Sequence, residues 1–226
     1  MFNFLRNKKV SNKKINKFYS QHLYTGLNGI LMRYCHRQLE EKIFNKKHKN
    51  ILEIGAGSEP HFKYLKNQNC KYTILEVLKD KNSKSKSFKK FKYVFYNGKK
   101  IPFKKNTFDR IILSHTLEHI PFPEMFLLDA YSKLKKGGMI SISLPTDPGA
   151  MWRLGRFYNK IFKIKKTLKI SSLEYDYMNS IEHINSIFSL LNIIRYRFKG
   201  KISESFVPFK IKSPDINLFY NVHISK

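Results

Sequence analysis

The feature that most constrains the fold is a short apolar run that ends in two glycines. The run is Ile51-Leu52-Glu53-Ile54, and Gly55-Ala56-Gly57 follows it directly. This pattern predicts a buried strand that leads through a tight turn into a helix. Glycines let a ligand lie against the backbone, and the amide groups that follow point toward the same place. At the end of a first parallel strand, such a turn is where doubly wound sheets bind nucleotides.

The residues around these glycines argue against two common nucleotide sites. A dinucleotide-binding turn has a third glycine for helix–strand packing, and this sequence has Pro60-His61 at that place. A P-loop requires Gly-Lys-Ser or Gly-Lys-Thr, and the sequence contains neither. The turn therefore predicts a different nucleotide-like ligand.

Four further apolar runs predict the next parallel strands. They are residues 72–77, 93–96, 108–114 and 139–144. The second strand ends near Glu76, about 20 residues after Glu53, which is the spacing that brings the two strand ends together in a βαβ unit. The Glu76 carboxylate can accept hydrogen bonds from both hydroxyls of a ribose. The alternative is that Glu76 is an ordinary surface glutamate. The position of Glu76 at a strand end favours the ribose contact.

The remaining segments predict helices and two more strands. Residues 21–44 have amphipathic helical spacing, residues 59–69 predict a first crossover helix, and residues 79–90 predict an irregular connection. Pro123 begins a predicted helix, and Gly137-Gly138 are expected to end it. The inner face of this helix contains Leu127, Leu128, Tyr131 and Leu134. A crossover helix is predicted near residues 187–191, strands at 193–198 and 218–225, and a loop at 204–215.

Six motifs in this order resemble the class I S-adenosylmethionine (SAM)-dependent methyltransferases of the small-molecule, ubiquinone-methyltransferase-like type. They are Glu53-Ile54-Gly55-Ala56-Gly57, Glu76, Ile101-Pro102-Phe103 before Phe108-Asp109, His115-Thr116-Leu117-Glu118-His119-Ile120, Leu134-Lys135-Lys136-Gly137-Gly138 and Pro145. The resemblance covers roughly residues 50–146. It implies an α/β fold: a Rossmann-like, doubly wound, seven-stranded and mostly parallel sheet with an antiparallel last strand.

The resemblance also implies the cofactor, S-adenosyl-L-methionine, and the residues that bind it. The expected cofactor-binding residues are Glu53, Gly55, Ala56, Gly57, Glu76, Asn97, Gly98 and Ser114. Asn97 stands where many relatives have an aspartate for the adenine amino group, and its amide oxygen can accept that hydrogen bond without a charge. No metal is expected.

Two histidines are the candidate catalytic bases. His115 follows the fourth strand, and His183 lies in the variable region that relatives use for the acceptor. A neutral imidazole is the natural base near pH 7, and a structural, hydrogen-bonded histidine is the alternative for each. His119 is interpreted as a capping or packing residue. Tyr19, His22 and Tyr24 are further candidates for contact with SAM, in a helix that folds over the cofactor in many relatives.

The composition places weaker limits on partners and location. The net charge of +28 comes mostly from lysine, which codon bias in an AT-rich genome can produce as well as selection for an anionic partner. Cys35 and Cys70 match no metal spacing and suit a reducing compartment. No signal peptide or membrane-spanning run is visible. We therefore expect a cytoplasmic protein, with peripheral contact at the inner face of an anionic membrane as a further hypothesis.

The predicted organisation is a basic arm with N-terminal helices at 1–49 and a methyltransferase domain at 50–226. A lid or substrate-binding insertion is expected at about 147–180, because a basic amphipathic helix with Trp152 follows the fifth strand there. A helix docked by its apolar face is the alternative. Three functions compete: methylation of a small-molecule, sugar or lipid-linked glycan acceptor, methylation of RNA, and catalytically silent SAM binding. Charge favours RNA, but no appended RNA-binding module is visible.

Overall fold

The fold is given by a computed structural model that describes residues 24–43, 48–57, 59–77, 91–162 and 171–226. Several predicted features lie outside these residues. They are the basic arm with Tyr19 and His22, and the connection at 79–90.

The described residues form one seven-stranded sheet. Its strands are β1 (Asn50–Ile54), β2 (Lys71–Val77), β3 (Lys92–Tyr96), β4 (Phe108–Ser114), β5 (Leu134–Pro145), β6 (Ile202–Val207) and β7 (Phe219–Ser225). The strand order is β3-β2-β1-β4-β5-β7-β6. Neighbours from β3 to β5 pair in parallel, and β7 is antiparallel to both β5 and β6. This confirms the predicted mostly parallel sheet with an antiparallel last strand.

Central strands of such a sheet are covered on both faces, which explains their continuous apolar runs. In β4, Ile111, Ile112 and Leu113 are all fully buried, as are Leu52 in β1 and Ile142 in β5. The order reverses at β1, so the carboxyl ends of β1 and β4 open on either side of one crevice.

Five helices and two short 3₁₀ turns complete the described structure. The helices are α1 (Gly26–Glu41), α2 (Pro123–Lys133), α3 (Ala150–Phe162), α4 (Ser172–Glu182) and α5 (Ile187–Arg197), and the turns are His61–Tyr64 and Leu117–His119. Within the described residues, no helix combines the length and the apolar character that a membrane crossing requires.

The predicted crossover helix at 59–69 is wrong, because this segment contains only the 3₁₀ turn His61–Tyr64. Pro60 has an extended backbone, and the Glu53 carboxylate accepts the backbone N–H of His61. Beyond the turn, the Asn69 N–H bonds to the side chain of Asn67. Asparagine side chains that bond to nearby backbone in this way compete with helix formation.

The strand predicted at 193–198 is also wrong, because α5 continues to Arg197. Ile187, Leu190, Leu191 and Ile194 recur at helical spacing and are all buried. Gly200, at φ +76°, then turns the chain into β6, which occupies the first part of the predicted 204–215 loop.

The helix that begins at Pro123 ends earlier than predicted. Its last residue is Lys133, and Leu134 already belongs to β5, so the Gly137-Gly138 pair lies inside a strand. A register irregularity between β4 and β5 accommodates the start of β5 at Leu134. Leu128 is exposed, and Phe126, Leu127 and Ala130 form the buried face of the helix.

A buried polar network joins α1 to the sheet. An Arg110 guanidinium nitrogen lies 2.5 Å from Glu40 Oε1, and the same oxygen lies 2.8 Å from His61 Nε2. Arg110 Nε also donates to Ser141 Oγ at 2.9 Å, and His61 Nδ1 lies 2.7 Å from Nδ1 of His36. Burial would raise the pKa of Glu40, but the hydrogen bond to His61 and the Arg110 charge outweigh it and lower the pKa to about 2.

We expect the Arg110→Met variant to lose about 3–5 kcal/mol of unfolding free energy, because it leaves the Glu40 charge buried without its partner. The pair's contribution is fully present above pH 4.5, the usual pKa of Glu40, and is lost as the pH falls toward 2. Urea unfolding of the variant and the wild type, at neutral pH and at acidic pH, measures both effects.

The matched control is Arg197→Met, which removes an arginine from the exposed pair with Glu124. Exposed ion pairs contribute about 0–1 kcal/mol. Equal losses in the two variants would contradict the structural role of the Arg110–Glu40 pair.

Candidate active site

The two glycines that follow β1 have left-handed backbones for different reasons. Gly55 has φ +73°, and a Cβ on it would lie 2.7 Å from Thr116 Oγ1. Gly57 has φ +58°, and a Cβ on it would meet no described atom within 4 Å. Gly55 is therefore required by packing against the β4 exit, whereas Gly57 borders open space where a ligand can approach the backbone.

The acidic residue of β2 contacts this turn directly. Glu76 is half-buried at the carboxyl end of its strand, and its Oε1 accepts the Gly57 N–H at 2.9 Å. The Gly55 N–H donates to the Leu75 carbonyl at 3.0 Å, so the turn and the end of β2 are fixed together. This places a carboxylate beside the open face of the glycine turn, as a ribose site requires.

Glu53 lies beneath the turn and is only 1% exposed. Its two oxygens accept the His61 N–H at 3.0 and 3.1 Å, and Oε2 also accepts the Tyr72 hydroxyl at 2.7 Å. Burial raises the pKa of Glu53 to about 7. These contacts anchor the segment after the glycines, while the contact of Glu53 with SAM stays a prediction.

The other predicted cofactor residues also lie at carboxyl ends of strands. Ala56 belongs to the glycine turn, Asn97-Gly98 follows β3, and Ser114 ends β4. Asn97 Oδ1 accepts the Lys99 N–H at 3.0 Å, so the oxygen expected at the adenine currently shapes a turn. Ser114 Oγ is buried and has no hydrogen-bond partner among the described residues.

These features fit an adenosine-bearing ligand. A glycine bordering open space, a carboxylate at the next strand end and an unpartnered buried hydroxyl are the groups that such a ligand engages. When bound, SAM supplies an activated methyl group, and the protein supplies orientation and a dry pocket.

His115 leaves β4 with a strained backbone, at φ +52°. Its backbone N–H donates to the Ser143 carbonyl at 2.9 Å, and its ring packs edge-on against Phe219. Nε2 is buried and has no hydrogen-bond partner among the described residues. Burial, followed by the charges of His183 and His119, lowers the pKa of His115 to about 3. The imidazole is therefore neutral at pH 7, but so low a pKa makes it a weak proton acceptor.

His183 directly follows α4 and lies near the same crevice. Its Nδ1 is 2.6 Å from Asp147 Oδ2, and Arg156 also bonds to this carboxylate. Its ring centroid lies 5.2 Å from that of His119 and 6.1 Å from that of Trp152. The structure thus brings the two candidate bases into one histidine-rich region.

Three residues of this region were not predicted as functional. Glu118 is buried in the 3₁₀ turn after β4, His119 is half-buried beside it, and Asp147 holds His183. The available signal was the His-x-x-Glu-His spacing of His115, Glu118 and His119, which sequence analysis used only as a motif of resemblance. The Nδ1 of His119 bonds to the Glu182 carbonyl, at the end of α4.

Comparison with known proteins identifies the family. A family model described as a methyltransferase domain matches residues 27–195. The demethylmenaquinone methyltransferase of Protochlamydia amoebophila (strain UWE25) is 25% identical over 217 residues, which cover 83% of this chain and 90% of that protein.

Solved structures show the same fold. A SAM-dependent methyltransferase of Thermotoga maritima, described as a possible histamine N-methyltransferase, has a TM-score of 0.58 at 16% identity, covering 95% of this chain and 99% of that one. The plantazolicin methyltransferase BpumL, solved with a desmethyl-plantazolicin analogue and S-adenosylhomocysteine (SAH), has a TM-score of 0.61 at 15% identity, covering 95% and 89%.

The fold and site define a class I methyltransferase with a Rossmann-like sheet. The family match covers most of the chain, so the chain belongs to the methyltransferase domain family, and it is a SAM-dependent methyltransferase.

We expect Glu76→Ala to weaken SAH binding by on the order of 2 kcal/mol, or roughly 30-fold. The variant loses the acceptor for the ribose hydroxyls and the bond that holds the Gly57 N–H. Isothermal titration calorimetry of SAH into wild type and variant measures the change.

Two controls accompany this titration. Glu76→Gln keeps one acceptor oxygen and should lose less affinity, while Glu124→Ala, on α2, should lose none. Unchanged affinity in Glu76→Ala would remove Glu76 from the cofactor site.

Proposed function

We propose that the enzyme methylates a small-molecule, sugar or lipid-linked glycan acceptor that has an apolar portion, and that it meets this acceptor at an anionic membrane surface. The observation that carries this proposal is the exposed apolar face of α3. No residue of this 13-residue helix is buried, although its sequence contains five large apolar or aromatic side chains that are more than half exposed. They are Leu154, Phe157, Tyr158, Ile161 and Phe162.

This helix begins at the edge of the crevice. It follows the end of β5 after the Asp147-Pro148-Gly149 turn, and Trp152 in its first turn packs against both His183 and Phe219. One end of the apolar face is thus next to the candidate bases, and the rest faces solvent. An exposed apolar face of this size is typical of a surface that binds a lipid or an apolar ligand.

The charges near α3 favour an anionic surface. Arg156 and Lys160 pair with Asp147 and Asp176, but Arg153 is exposed on the same helix. The chain as a whole carries a net charge of +28. Basic side chains beside an apolar helix face each add about 1 kcal/mol of attraction to anionic lipid. This proposal implies that the enzyme is cytoplasmic and associates peripherally with the membrane.

RNA methylation is the alternative that charge alone supports. Contacts with RNA phosphates use lysine, arginine and polar groups, and they do not require a row of large apolar side chains. We therefore favour the amphiphilic acceptor.

Incubation with tritium-labelled SAM separates the two acceptor classes. The probes are a bacterial membrane-lipid extract containing lipid-linked glycans and total bacterial RNA. We expect label in the material extracted into organic solvent, because the apolar face of α3 can hold an acceptor's apolar portion beside the site. Label in RNA and none in the lipid extract would contradict the proposal.

A vesicle-binding assay tests the role of α3 itself. The double variant Phe157→Ser/Ile161→Ser should bind anionic phosphatidylglycerol vesicles at least tenfold more weakly, because each buried apolar side chain contributes about 1.5–3 kcal/mol. The matched control is Tyr196→Ser, which changes another highly exposed aromatic residue on α5. Equal binding by the wild type and the double variant would exclude α3 as the membrane contact.

A further inference from the structure

We infer that Glu118, His119 and His183 form a binding site for a divalent transition-metal ion on the acceptor side of the cleft. Each of these residues offers one ligand atom, and the three atoms lie within 4.8 Å of one another. The site itself is independent of the acceptor, whereas its catalytic use rests on the proposed function.

Two separate parts of the chain bring the ligands together. Glu118 and His119 lie in the 3₁₀ turn after β4, and His183 follows α4. The Asn185 N–H donates to the Glu118 carbonyl at 3.1 Å, which fixes the connection between α4 and α5 against the turn. His119 Nε2 is 3.8 Å from Glu118 Oε1. Ligand atoms around a tetrahedral zinc ion are about 3.4 Å apart for bonds of 2.0–2.2 Å, so the three ligand atoms have to move closer together to bind the ion.

Both imidazoles are oriented as metal ligands usually are. His119 Nδ1 bonds to the Glu182 carbonyl, and His183 Nδ1 lies 2.6 Å from Asp147 Oδ2. A carbonyl or carboxylate oxygen can only accept, so each Nδ1 carries the proton and each Nε2 presents a lone pair. Metal-binding histidines commonly donate from their second nitrogen to a carboxylate or carbonyl in this way, which holds the ring in place.

The Glu118 carboxylate gives an independent indication that a cation binds here. Glu118 is 2% exposed, and its Oε2 has no hydrogen-bond partner among the described residues. The His115 and His119 rings approach its other oxygen only to 3.9 and 3.8 Å, which is beyond hydrogen-bond range. A buried carboxylate oxygen without a partner is costly, and a bound cation would satisfy it.

The ligand set indicates the kind of metal. Two imidazoles and one carboxylate are typical ligands of catalytic zinc, manganese or iron(II), and they leave coordination positions open. The turn that carries Glu118 adjoins the cofactor site, because Thr116, two residues before Glu118, donates from Oγ1 to the Ile54 carbonyl at 3.0 Å beside the glycine turn.

The open positions suit an acceptor hydroxyl. Coordination lowers the pKa of a bound hydroxyl, so its proton leaves to water. An oxygen lone pair then forms a bond to the methyl carbon of SAM while the carbon–sulfur bond breaks toward sulfur. The products are the methyl ether, SAH and one proton. The substrate class is thus a hydroxyl-bearing acceptor.

Cobalt(II) titration of untagged, EDTA-treated protein tests the site, with visible absorption as the readout and zinc as the competitor. We expect one equivalent of Co²⁺ to bind per chain and Zn²⁺ to displace it. Glu118→Gln, His119→Ala and His183→Ala should each weaken Co²⁺ binding at least tenfold. The matched controls, His48→Asn before β1 and Glu124→Gln on α2, should bind Co²⁺ as the wild type does.

A thermal melt and SAH calorimetry of each variant show that it folds. If the change at the buried Glu118 destabilises the chain, His183→Ala still tests the site, because His183 is only half-buried. Absence of saturable Co²⁺ binding in the wild type, or equal affinity in the wild type and the folded ligand variants, would overturn the metal site. Because the cobalt spectrum requires neither SAH nor an acceptor, failure of the proposed function is seen separately, as a lack of methyl transfer by protein that still binds Co²⁺.

Discussion

The buried ion pair between Arg110 and Glu40 fixes the relation between α1 and the sheet on which the site is built. Arg110 lies in β4 and is buried, so its charge has to be balanced by a group from another element. Glu40 supplies that group, and its other contact, His61, follows the glycine turn. Through His61 the network reaches Glu53, whose carboxylate accepts the His61 N–H. One set of buried charges therefore fixes the helix, the strand and the cofactor turn relative to each other.

This arrangement divides the crevice into two chemically distinct halves. The half formed by β1 and β2 has an open glycine turn and the Glu76 carboxylate, which suit the adenosine part of SAM. The half formed after β4 and β5 contains three histidines, Glu118 and Asp147, which suit proton removal or metal binding. Thr116 lies between the halves and packs against Gly55. A methyl group that leaves SAM would thus travel toward the histidine-rich half.

The sequence was sufficient to predict the central strands and the glycine turn that follows β1, because both depend on local patterns. The β4 boundaries agree with the run 108–114, and Glu76 lies where a βαβ unit places it. The prediction was wrong where tertiary contacts override local spacing. The capture of the His61 N–H by Glu53 limits residues 59–69 to a short turn, and burial of the apolar stripe of α5 extends a helix through a β-rich stretch.

The histidine-rich half could not be predicted for a different reason. Its members come from the turn after β4, the turn after β5 and the end of α4, so only the folded chain brings them together. From the sequence, Glu118 cannot be distinguished from an exposed glutamate. The role of Asp147 in holding His183 becomes clear only from the bond between the two side chains. Tyr24, predicted as a cofactor contact, bonds to His36 in the structure.

A crystal structure of the enzyme with SAH tests the central claim most directly, namely that the crevice holds the cofactor beside the histidine-rich half. The account predicts that the ribose hydroxyls lie within about 3 Å of the Glu76 carboxylate. It also predicts that the homocysteine sulfur points from the glycine turn toward His115. SAH bound away from Gly57 and Glu76, or a sulfur that faces away from the histidines, would contradict it.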